Sequence, residues 1–272
     1  MKNKIYQPSI KLLKVLQHEE TENIERSEAS VGGLRLNTFV SKDADFIDKE
    51  KLPVVLVQGL GISVSYMIPA MREIAKFTKV FALDLPGFGD SEKPRRVFNI
   101  EELADVLADW MNAAGIERAV LVGHSFGSQI VAEFALRHAE KIDRAVFAAP
   151  TFDRRARGFF RQFWRLLRNA PNEPFSLILL AVKSYFKFGI RREARTLQFA
   201  LRDRIEEKLP QIGVPALVVR GELDTVVPQG WAEEFAALLP DGKLIVIAGG
   251  THGVNYNSPQ KFAAAIREFL GY

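Results

Sequence analysis

Short apolar runs alternate with amphipathic helical stretches along most of the chain, and this alternation limits the fold more than any other feature. The runs are rich in β-branched residues, as strands are, and they lie at residues 53–57, 80–83, 119–122, 145–148, 216–219 and 244–247. Two earlier runs, 24–30 and 34–40, flank Gly32 and Gly33, which predicts an antiparallel hairpin. We therefore predict an α/β fold with a mostly parallel eight-stranded sheet and helices on both faces.

The alternation is interrupted once, between Pro150 and Val214, where helical periodicity continues without a strand. We predict that residues 151–208 form a helical cap inserted after the sixth strand, and that residues 1–150 and 209–272 form one core. Such a cap would cover the carboxyl ends of the strands, where open α/β sheets bind their ligands.

The amino-acid composition excludes several kinds of site and partner. The chain of 272 residues contains no Cys, which excludes disulfides, thiolate metal sites and a Cys nucleophile. The formal net charge of +4 is concentrated in residues 151–208, which hold 14 Lys and Arg against 6 Asp and Glu. No nucleic-acid-binding motif accompanies this charge, so we expect no nucleic-acid partner. Residues 1–20 lack the apolar run of a signal peptide, so we interpret them as a short surface helix and expect a cytoplasmic location.

The strongest chemical signal is Gly123-His-Ser-Phe-Gly127, which lies between a predicted strand and a predicted helix. In that context the Gly-x-Ser-x-Gly spacing indicates a nucleophile elbow, a sharp turn that strains its central residue and needs glycines on either side. Ser125 is thereby raised above the sheet at the start of a helix, whose dipole favours developing negative charge. We predict that Ser125 is a nucleophile.

A serine hydroxyl needs a base that accepts its proton, and the chain has four histidines. His18 and His138 lie in or near predicted surface helices, and the side chain of His124 should point away from Ser125 and pack against neighbouring strands. His252 follows the last predicted strand, in a glycine-rich loop at the carboxyl edge of the sheet. We therefore predict that His252 is the base.

The base in turn needs a carboxylate that orients it and stabilises the imidazolium. Asp224 lies in the loop after the seventh strand, in a Gly-x-x-Asp-x-x-x-Pro sequence that sets it at the loop tip facing the end of the next strand. Glu222 in the same loop and Asp153 after the sixth strand remain alternatives. We predict that Asp224 completes a catalytic triad.

Together these motifs resemble the capped α/β-hydrolases, and the resemblance covers about residues 24–272. In that family one oxyanion-hole amide follows a His-Gly pair after the third strand, and the second follows the nucleophile. The resemblance assigns these two positions to Leu60 and Phe126. Gln58 stands where the family has His, and its side chain can still hydrogen-bond the loop.

The nucleophile separates this chain from some relatives, because dehalogenases and epoxide hydrolases of the family use Asp at the elbow. The resemblance implies acyl transfer through an acyl-enzyme, with no metal and no organic cofactor.

The cap segment begins with a basic amphipathic sequence. Arginines recur at steps of three and four residues from Arg154 to Arg168, and apolar residues occupy the other side. We interpret this segment as a cap helix with a solvated arginine face; weak contact with an anionic membrane surface, or with an anionic substrate, is the alternative. The residues predicted to line a substrate pocket are Phe160, Phe163, Trp164, Leu177 and Phe186.

These features predict a serine hydrolase that cleaves a carboxylic ester, or a related acyl bond, of a hydrophobic small molecule. A C–C bond hydrolase of ring-cleavage diketones is an alternative, although those relatives generally carry Trp after the catalytic His, where this chain has Gly253. A non-catalytic ligand-binding protein on the same fold is the other alternative.

Overall fold

The computed structural model describes residues 23–42 and 51–272. One sheet contains the strands β1 (Ile24–Val31), β2 (Leu34–Ser41), β3 (Val54–Val57), β4 (Val80–Leu83), β5 (Ala119–His124), β6 (Ile142–Ala148), β7 (Ala216–Gly221) and β8 (Gly242–Ile247). The predicted short helix within residues 1–20, and His18 with it, lies outside the described residues.

Ten α-helices lie in the described part of the chain. They are α1 (Ile68–Ile74), α2 (Ile100–Ala113), α3 (Gly127–Arg137), α4 (Phe159–Asn169), α5 (Phe175–Phe188), α6 (Ile190–Arg202), α7 (Ile205–Lys208), α8 (Gln229–Leu238), α9 (Val254–Asn257) and α10 (Pro259–Leu270). Short 3₁₀ turns occur at Val64–Met67, Ala139–Lys141, Arg154–Ala156, Ala170–Asn172 and Leu209–Gln211. None of the helices in this part of the chain combines the length and apolar character needed to cross a membrane.

The strand order is β1-β2-β4-β3-β5-β6-β7-β8. β1 and β2 pair antiparallel with each other, β2 pairs antiparallel with β4, and the other neighbours are parallel. Gly32 and Gly33 join β1 to β2 with φ of 56° and 81°, and a tight hairpin turn needs these positive values. The predicted mostly parallel eight-stranded sheet is confirmed.

The sheet is covered on both faces. Every residue of β3, β5 and β7 is buried, as expected for parallel strands between two helical layers. One face packs against α2, α3 and α8 through side chains such as Trp110, Phe134 and Phe235. The other packs against α1 and α10 through Met71 and Phe262. Two apolar cores therefore hold the strands in place and fix where their carboxyl ends lie.

The segment between β6 and β7, which we call the cap, contains α4 to α7 and no strand. The last part of this segment is divided between two helices: α6 ends at Arg202, Asp203 is extended with ψ of 134°, and α7 begins at Ile205. The Asp203 carboxylate accepts a hydrogen bond from the Gln129 amide of α3 at 3.0 Å and also pairs with Lys208. Asp203, which separates α6 from α7, is therefore held by one contact with the core and one within the cap.

Candidate active site

Ser125 lies in a sharp turn between β5 and α3. Its φ is 53°, in the left-handed region that residues with a side chain rarely adopt. A Cβ on Gly123 would overlap the backbone of Gly127, and a Cβ on Gly127 would overlap the Val57 carbonyl of β3. The two glycines are therefore needed because strand, turn and helix pass too close for any side chain, which is the reason for the predicted spacing.

The side chains of Ser125, His252 and Asp224 form a hydrogen-bonded series. His252 Nε2 lies 3.1 Å from Ser125 Oγ, and His252 Nδ1 lies 3.0 Å from Asp224 Oδ2. The other Asp224 oxygen accepts the backbone N–H groups of Val226 and Val227 at 2.8 and 2.9 Å. These two bonds orient the carboxylate towards the imidazole, so the residues proposed as a triad come together in the order that the chemistry requires.

The two alternative carboxylates are engaged elsewhere. Glu222 is exposed and accepts the Gly249 N–H at 2.8 Å. Asp153 is buried and pairs with Arg165 at 2.9 Å. Within residues 23–42 and 51–272, Asp224 is the carboxylate that hydrogen-bonds His252.

The electrostatic surroundings of His252 favour its protonated form. Burial by itself disfavours the imidazolium, but the charge and hydrogen bond of Asp224, with a smaller effect from the charge of Glu173, outweigh burial and hold the pKa of His252 above its ordinary value. A raised pKa makes the ring a stronger base towards the serine proton, and it moves the pH at which the ring becomes neutral upwards.

The two predicted oxyanion-hole residues lie close to Ser125. Phe126 follows Ser125 at the start of α3, and Leu60 lines the same cavity as Ser125. In the described part of the chain, neither backbone N–H is hydrogen-bonded to another protein group. Gln58, in the amide orientation that satisfies both partners, donates to the Leu83 carbonyl and accepts the Leu85 N–H at 2.9 Å each. It thus braces the loop, as the resemblance implies.

A buried hydrogen-bond chain connects the oxyanion loop to the His252 loop. The Gly59 N–H donates to Tyr66 Oη at 3.1 Å, Tyr66 Oη lies 2.7 Å from His124 Nδ1, and His124 Nε2 lies 2.9 Å from the His252 carbonyl. Since a carbonyl only accepts, His124 donates from Nε2 and accepts the Tyr66 hydroxyl at Nδ1. Burial, and secondly the charge of His252, lower the pKa of His124 to about 3. His124 therefore stays neutral near pH 7, and its role is more specific than the strand packing expected from sequence.

A cavity of about 900 Å³ opens above the series. Ser125 and His252 line it from the sheet side, and apolar side chains of α4 and α5 line it from the other side. Among the pocket residues predicted from sequence, Phe163, Leu177 and Phe186 line this cavity.

The pocket prediction for Phe160 and Trp164 is wrong. Neither lines the cavity, and they are 83% and 64% exposed. Phe159, Phe163 and Leu167 follow one another at four-residue steps and face the cavity. Phe160 and Trp164 come one position later, which turns them about 100° around the helix and out of the site.

The arginine face of the cap is also less solvated than expected. Arg154 and Arg155 both pair with Glu234 of α8, and Arg165 pairs with Asp153. The pairs with Glu234 attach the cap to the core, whereas the pair with Asp153 lies within the cap. Sequence periodicity identifies the basic face but not these acidic partners.

Two carboxylates that sequence reasoning missed lie between cap and core. Glu173, just before α5, accepts the Gly253 N–H at 2.9 Å and the Thr251 hydroxyl at 2.7 Å, and so holds the loop that carries His252. Glu193 of α6 lines the cavity, and its Oε2 is buried without a hydrogen-bond partner in the described residues. Burial raises the pKa of Glu193 to about 7. No motif marks either residue, because each depends on a contact across the cap.

The described residues contain no cluster of three or more His, Asp or Glu side chains that could hold a metal ion.

The family model of the alpha/beta hydrolase family matches residues 54–265. That match covers most of the chain and includes all three loops that carry Ser125, Asp224 and His252. The chain therefore belongs to the alpha/beta hydrolase family, as the motifs predicted.

Curated relatives match the chain at modest identity. The protein named "Putative carbamate hydrolase RutD" from Yersinia enterocolitica is 26% identical over 241 residues, which is 80% of this chain and 86% of that protein. The esterase YbfF of Escherichia coli is 25% identical, over 80% of this chain and 92% of that protein. The match to abhydrolase domain-containing protein abhd-5.2 of Caenorhabditis elegans, 35% identical, spans only 38% of this chain and 24% of that protein.

Solved structures share the fold. A thermophilic esterase from Thermogutta terrifontis superposes with a TM-score of 0.76 at 22% identity, over 91% of this chain and 98% of that one. A meta-cleavage product hydrolase, CumD, gives 0.70 at 21% identity, over 90% and 97%. At these identities the likeness concerns the fold alone.

Proposed function

We propose that this protein is a serine hydrolase that cleaves a carboxylic ester, or a related acyl bond, of a hydrophobic small molecule. The observation that carries the proposal is the hydrogen-bonded series of Ser125, His252 and Asp224 at the side of an apolar cavity. The curated relatives named as an esterase and a carbamate hydrolase support acyl chemistry.

The proposed reaction has two stages. Ser125 Oγ attacks the acyl carbon while His252 Nε2 accepts its proton, and the amides of Leu60 and Phe126 stabilise the oxyanion. The imidazolium then protonates the departing alcohol, leaving an acyl group on Ser125. In the second stage a water molecule gives its proton to His252 and attacks the acyl carbon, and release of the acid restores the serine.

The cavity accounts for the proposed substrate class. Its volume of about 900 Å³ lies within the range of small-molecule sites, and its lining side chains are mostly apolar. A hydrophobic acyl or alcohol group would be buried against the cap segment, which we propose selects the substrate. The meta-cleavage hydrolase shares the fold, so ring-cleavage diketones belong in the same test as esters.

The test is a rate series on p-nitrophenyl esters from acetyl to decanoyl, together with a thioester, a lactone and a diketone. We expect steady ester turnover that rises with chain length, and Ser125→Ala should reduce it about 10⁴-fold or more and abolish fluorophosphonate labelling. Ser258→Ala, which changes a serine outside the cavity lining, is the matched control.

Three results would contradict the proposal. Turnover only on the diketone would favour C–C hydrolysis, and one retained acyl group per chain without turnover would favour a binding protein. Undiminished labelling of Ser125→Ala would remove Ser125 as the nucleophile.

A further inference from the structure

Exposed apolar side chains concentrate in one part of the molecule. Thirteen large apolar residues are exposed in the described ranges, and all but Leu223 and Val246 lie between residues 159 and 190. The most exposed are Phe186 at 85%, Ile190 at 86%, Phe160 at 83% and Phe175 at 78%. Scattered exposure is normal on a protein surface, but this concentration indicates a contact site.

Seven of these exposed side chains also line the cavity and so lie at its mouth. Phe163, Leu167, Phe186 and Ile190 are exposed and also line the cavity that contains Ser125, so the helices that carry them meet there. On α4, the exposed residues Phe160 and Trp164 lie next to these side chains and extend the surface. We call the exposed residues Phe160, Phe163, Trp164, Leu167, Phe175, Phe186 and Ile190 the cap rim.

Positive charge borders the cap rim. Residues 151–208 hold 14 Lys and Arg against 6 Asp and Glu. Arg168 follows Trp164 by one helical turn, and Arg191 follows Ile190 directly; both are exposed, as is Arg161. These three have no acidic partner in the described residues, whereas Arg154 and Arg165 do. The cap rim thus combines unpaired arginines with aromatic side chains.

We propose that the cap rim docks onto the surface of an anionic phospholipid bilayer, so that the cavity mouth opens towards the lipid. Tryptophan and phenylalanine partition into the boundary between headgroups and acyl chains, while arginine remains with the phosphates. An amphipathic helix with these two faces is the pattern of interfacial binding. A second copy of the chain docked through the same surface would bring like-charged arginines together, whereas the phosphates of an anionic bilayer complement them.

Docking in this orientation has a consequence for substrate access. An apolar molecule dissolved in the bilayer would reach the cavity without crossing water. The docking itself does not depend on catalysis, so it can be tested separately from the proposed hydrolysis.

Tryptophan fluorescence gives a direct readout. The chain has three Trp residues; Trp110 and Trp231 are 1% exposed, and Trp164 is 64% exposed. The full chain is titrated with phosphatidylcholine vesicles containing roughly a third phosphatidylglycerol, and with phosphatidylcholine alone. On the anionic vesicles we expect a blue shift of the emission and protection from acrylamide. Trp164→Phe should lose the shift while still floating with the vesicles. Phospholipids brominated on their acyl chains should quench Trp164.

Flotation of variants with vesicles tests separately the apolar side chains and the arginines of the proposed docking surface. Phe160→Ser, Trp164→Ser and Phe175→Ser together change residues outside the cavity lining, and should weaken partitioning about tenfold or more. Val246→Ser, on β8, is the control for an exposed apolar residue elsewhere. Arg161→Gln with Arg168→Gln should weaken binding to anionic vesicles at least about fivefold, an effect that roughly 0.5 M NaCl should remove. Arg72→Gln with Arg267→Gln is its control.

Hydrolysis of a soluble short ester by the same variants should match wild type, which shows that they remain folded. The proposal is overturned if wild type does not float with anionic vesicles, if the triple serine variant floats as well as wild type, or if brominated lipid leaves Trp164 unquenched. Reversible self-association that depends on the cap rim, without vesicle binding, would identify a second copy as the occupant instead.

Discussion

The backbone of Ser125 is strained by the sharp turn that holds its hydroxyl at the cavity. Its φ of 53° places a non-glycine residue in the left-handed region, at a cost of about 1 kcal/mol. The turn persists because Ser125 N–H donates to the Ala148 carbonyl at 2.8 Å and the adjoining strand and helix are buried. The hydroxyl is thereby held at the cavity.

This strain predicts a difference between two inactive variants. Ser125→Gly should be more stable than Ser125→Ala by about 1 kcal/mol, because glycine adopts positive φ without the steric cost of a Cβ. Thermal unfolding should show a difference of about 2 to 4 °C in a protein of this size. Gly230, which lies in α8 with open space around it, provides the opposite comparison: Gly230→Ala should not destabilise. Equal melting temperatures for the two Ser125 variants would show that the turn is unstrained.

Three carboxylates, Asp224, Glu222 and Asp153, are candidates for the acid that orients His252, and a substitution of Asp224 distinguishes among them. We expect Asp224→Asn to reduce kcat about 10⁴-fold, because the amide leaves the imidazole in the wrong tautomer and removes the charge that stabilises the imidazolium. Glu222→Gln should change kcat little, since Glu222 bonds Gly249 and not the imidazole. Kinetics on a short soluble ester would distinguish them. An active Asp224→Asn beside an inactive Asp153→Asn would assign the acid to Asp153.

At the scale of elements, the cap and the His252 loop are joined through Glu173. This carboxylate accepts hydrogen bonds from Gly253 and Thr251 on the loop and from Asn169 at the end of α4. Its negative charge also contributes to the raised pKa of His252. The cap therefore affects His252, the proposed base, as well as the cavity wall.

The Glu173 contact predicts a shift in the pH dependence of the rate. The proposed mechanism needs the neutral imidazole, so kcat/KM should rise with pH through the pKa of His252, above the ordinary 6.5. Glu173→Gln removes a negative charge that favours the imidazolium, so this rise should move to lower pH. Glu222→Gln is the matched control, because Glu222 lies on a neighbouring loop but does not contribute to the pKa of His252. An unmoved profile in Glu173→Gln would exclude the electrostatic link.

At the scale of the whole molecule, two buried groups make stability depend on pH in opposite directions. The pKa of Glu193 is raised to about 7, so the folded state holds a proton that the unfolded state has released above about 4.5. Its contribution is present at low pH and is lost as pH rises through about 7. His124, with a pKa lowered to about 3, disfavours folding as pH falls below about 6.5.

Glu193→Gln separates these effects. The variant keeps the size of the side chain and cannot ionise, so its melting temperature relative to wild type should be higher at pH 8 than at pH 5. The expected relative change is a few degrees, measured by thermal unfolding at both pH values. Glu268→Gln, an exposed carboxylate on α10, should show no such change. The same relative melting temperature at both pH values would mean that Glu193 titrates as a solvated carboxylate.

Local sequence determined the core of this protein. The sheet is covered on both faces, so its parallel strands are buried and consist of continuous apolar residues. Such runs, rich in β-branched residues, can be recognised as strands from the sequence. The elbow could be predicted because its glycines and serine act within five consecutive residues. The sequence motifs also single out Asp224 and His252, the residues that we propose to act with Ser125, since each lies in a loop after a strand whose carboxyl end is at the same edge as Ser125.

Tertiary structure decided the parts that depend on distant contacts. The rotation of α4 turns Phe160 and Trp164 outwards and Phe163 towards the cavity. It depends on contacts with distant residues, such as the hydrogen bond from the Thr225 hydroxyl to the Arg165 carbonyl, whereas helical periodicity defines a face without saying what it contacts. The Tyr66–His124 chain joins residues 58 positions apart, and Glu173 reaches a loop 80 positions away. Burial raises the pKa of Glu193 only because α6 brings its carboxylate against the core loop that contains Gly61. The spacing of residues along a chain determines local conformation. The pKa of a buried side chain and its hydrogen-bond partners depend instead on residues that are distant in sequence and come close only on folding.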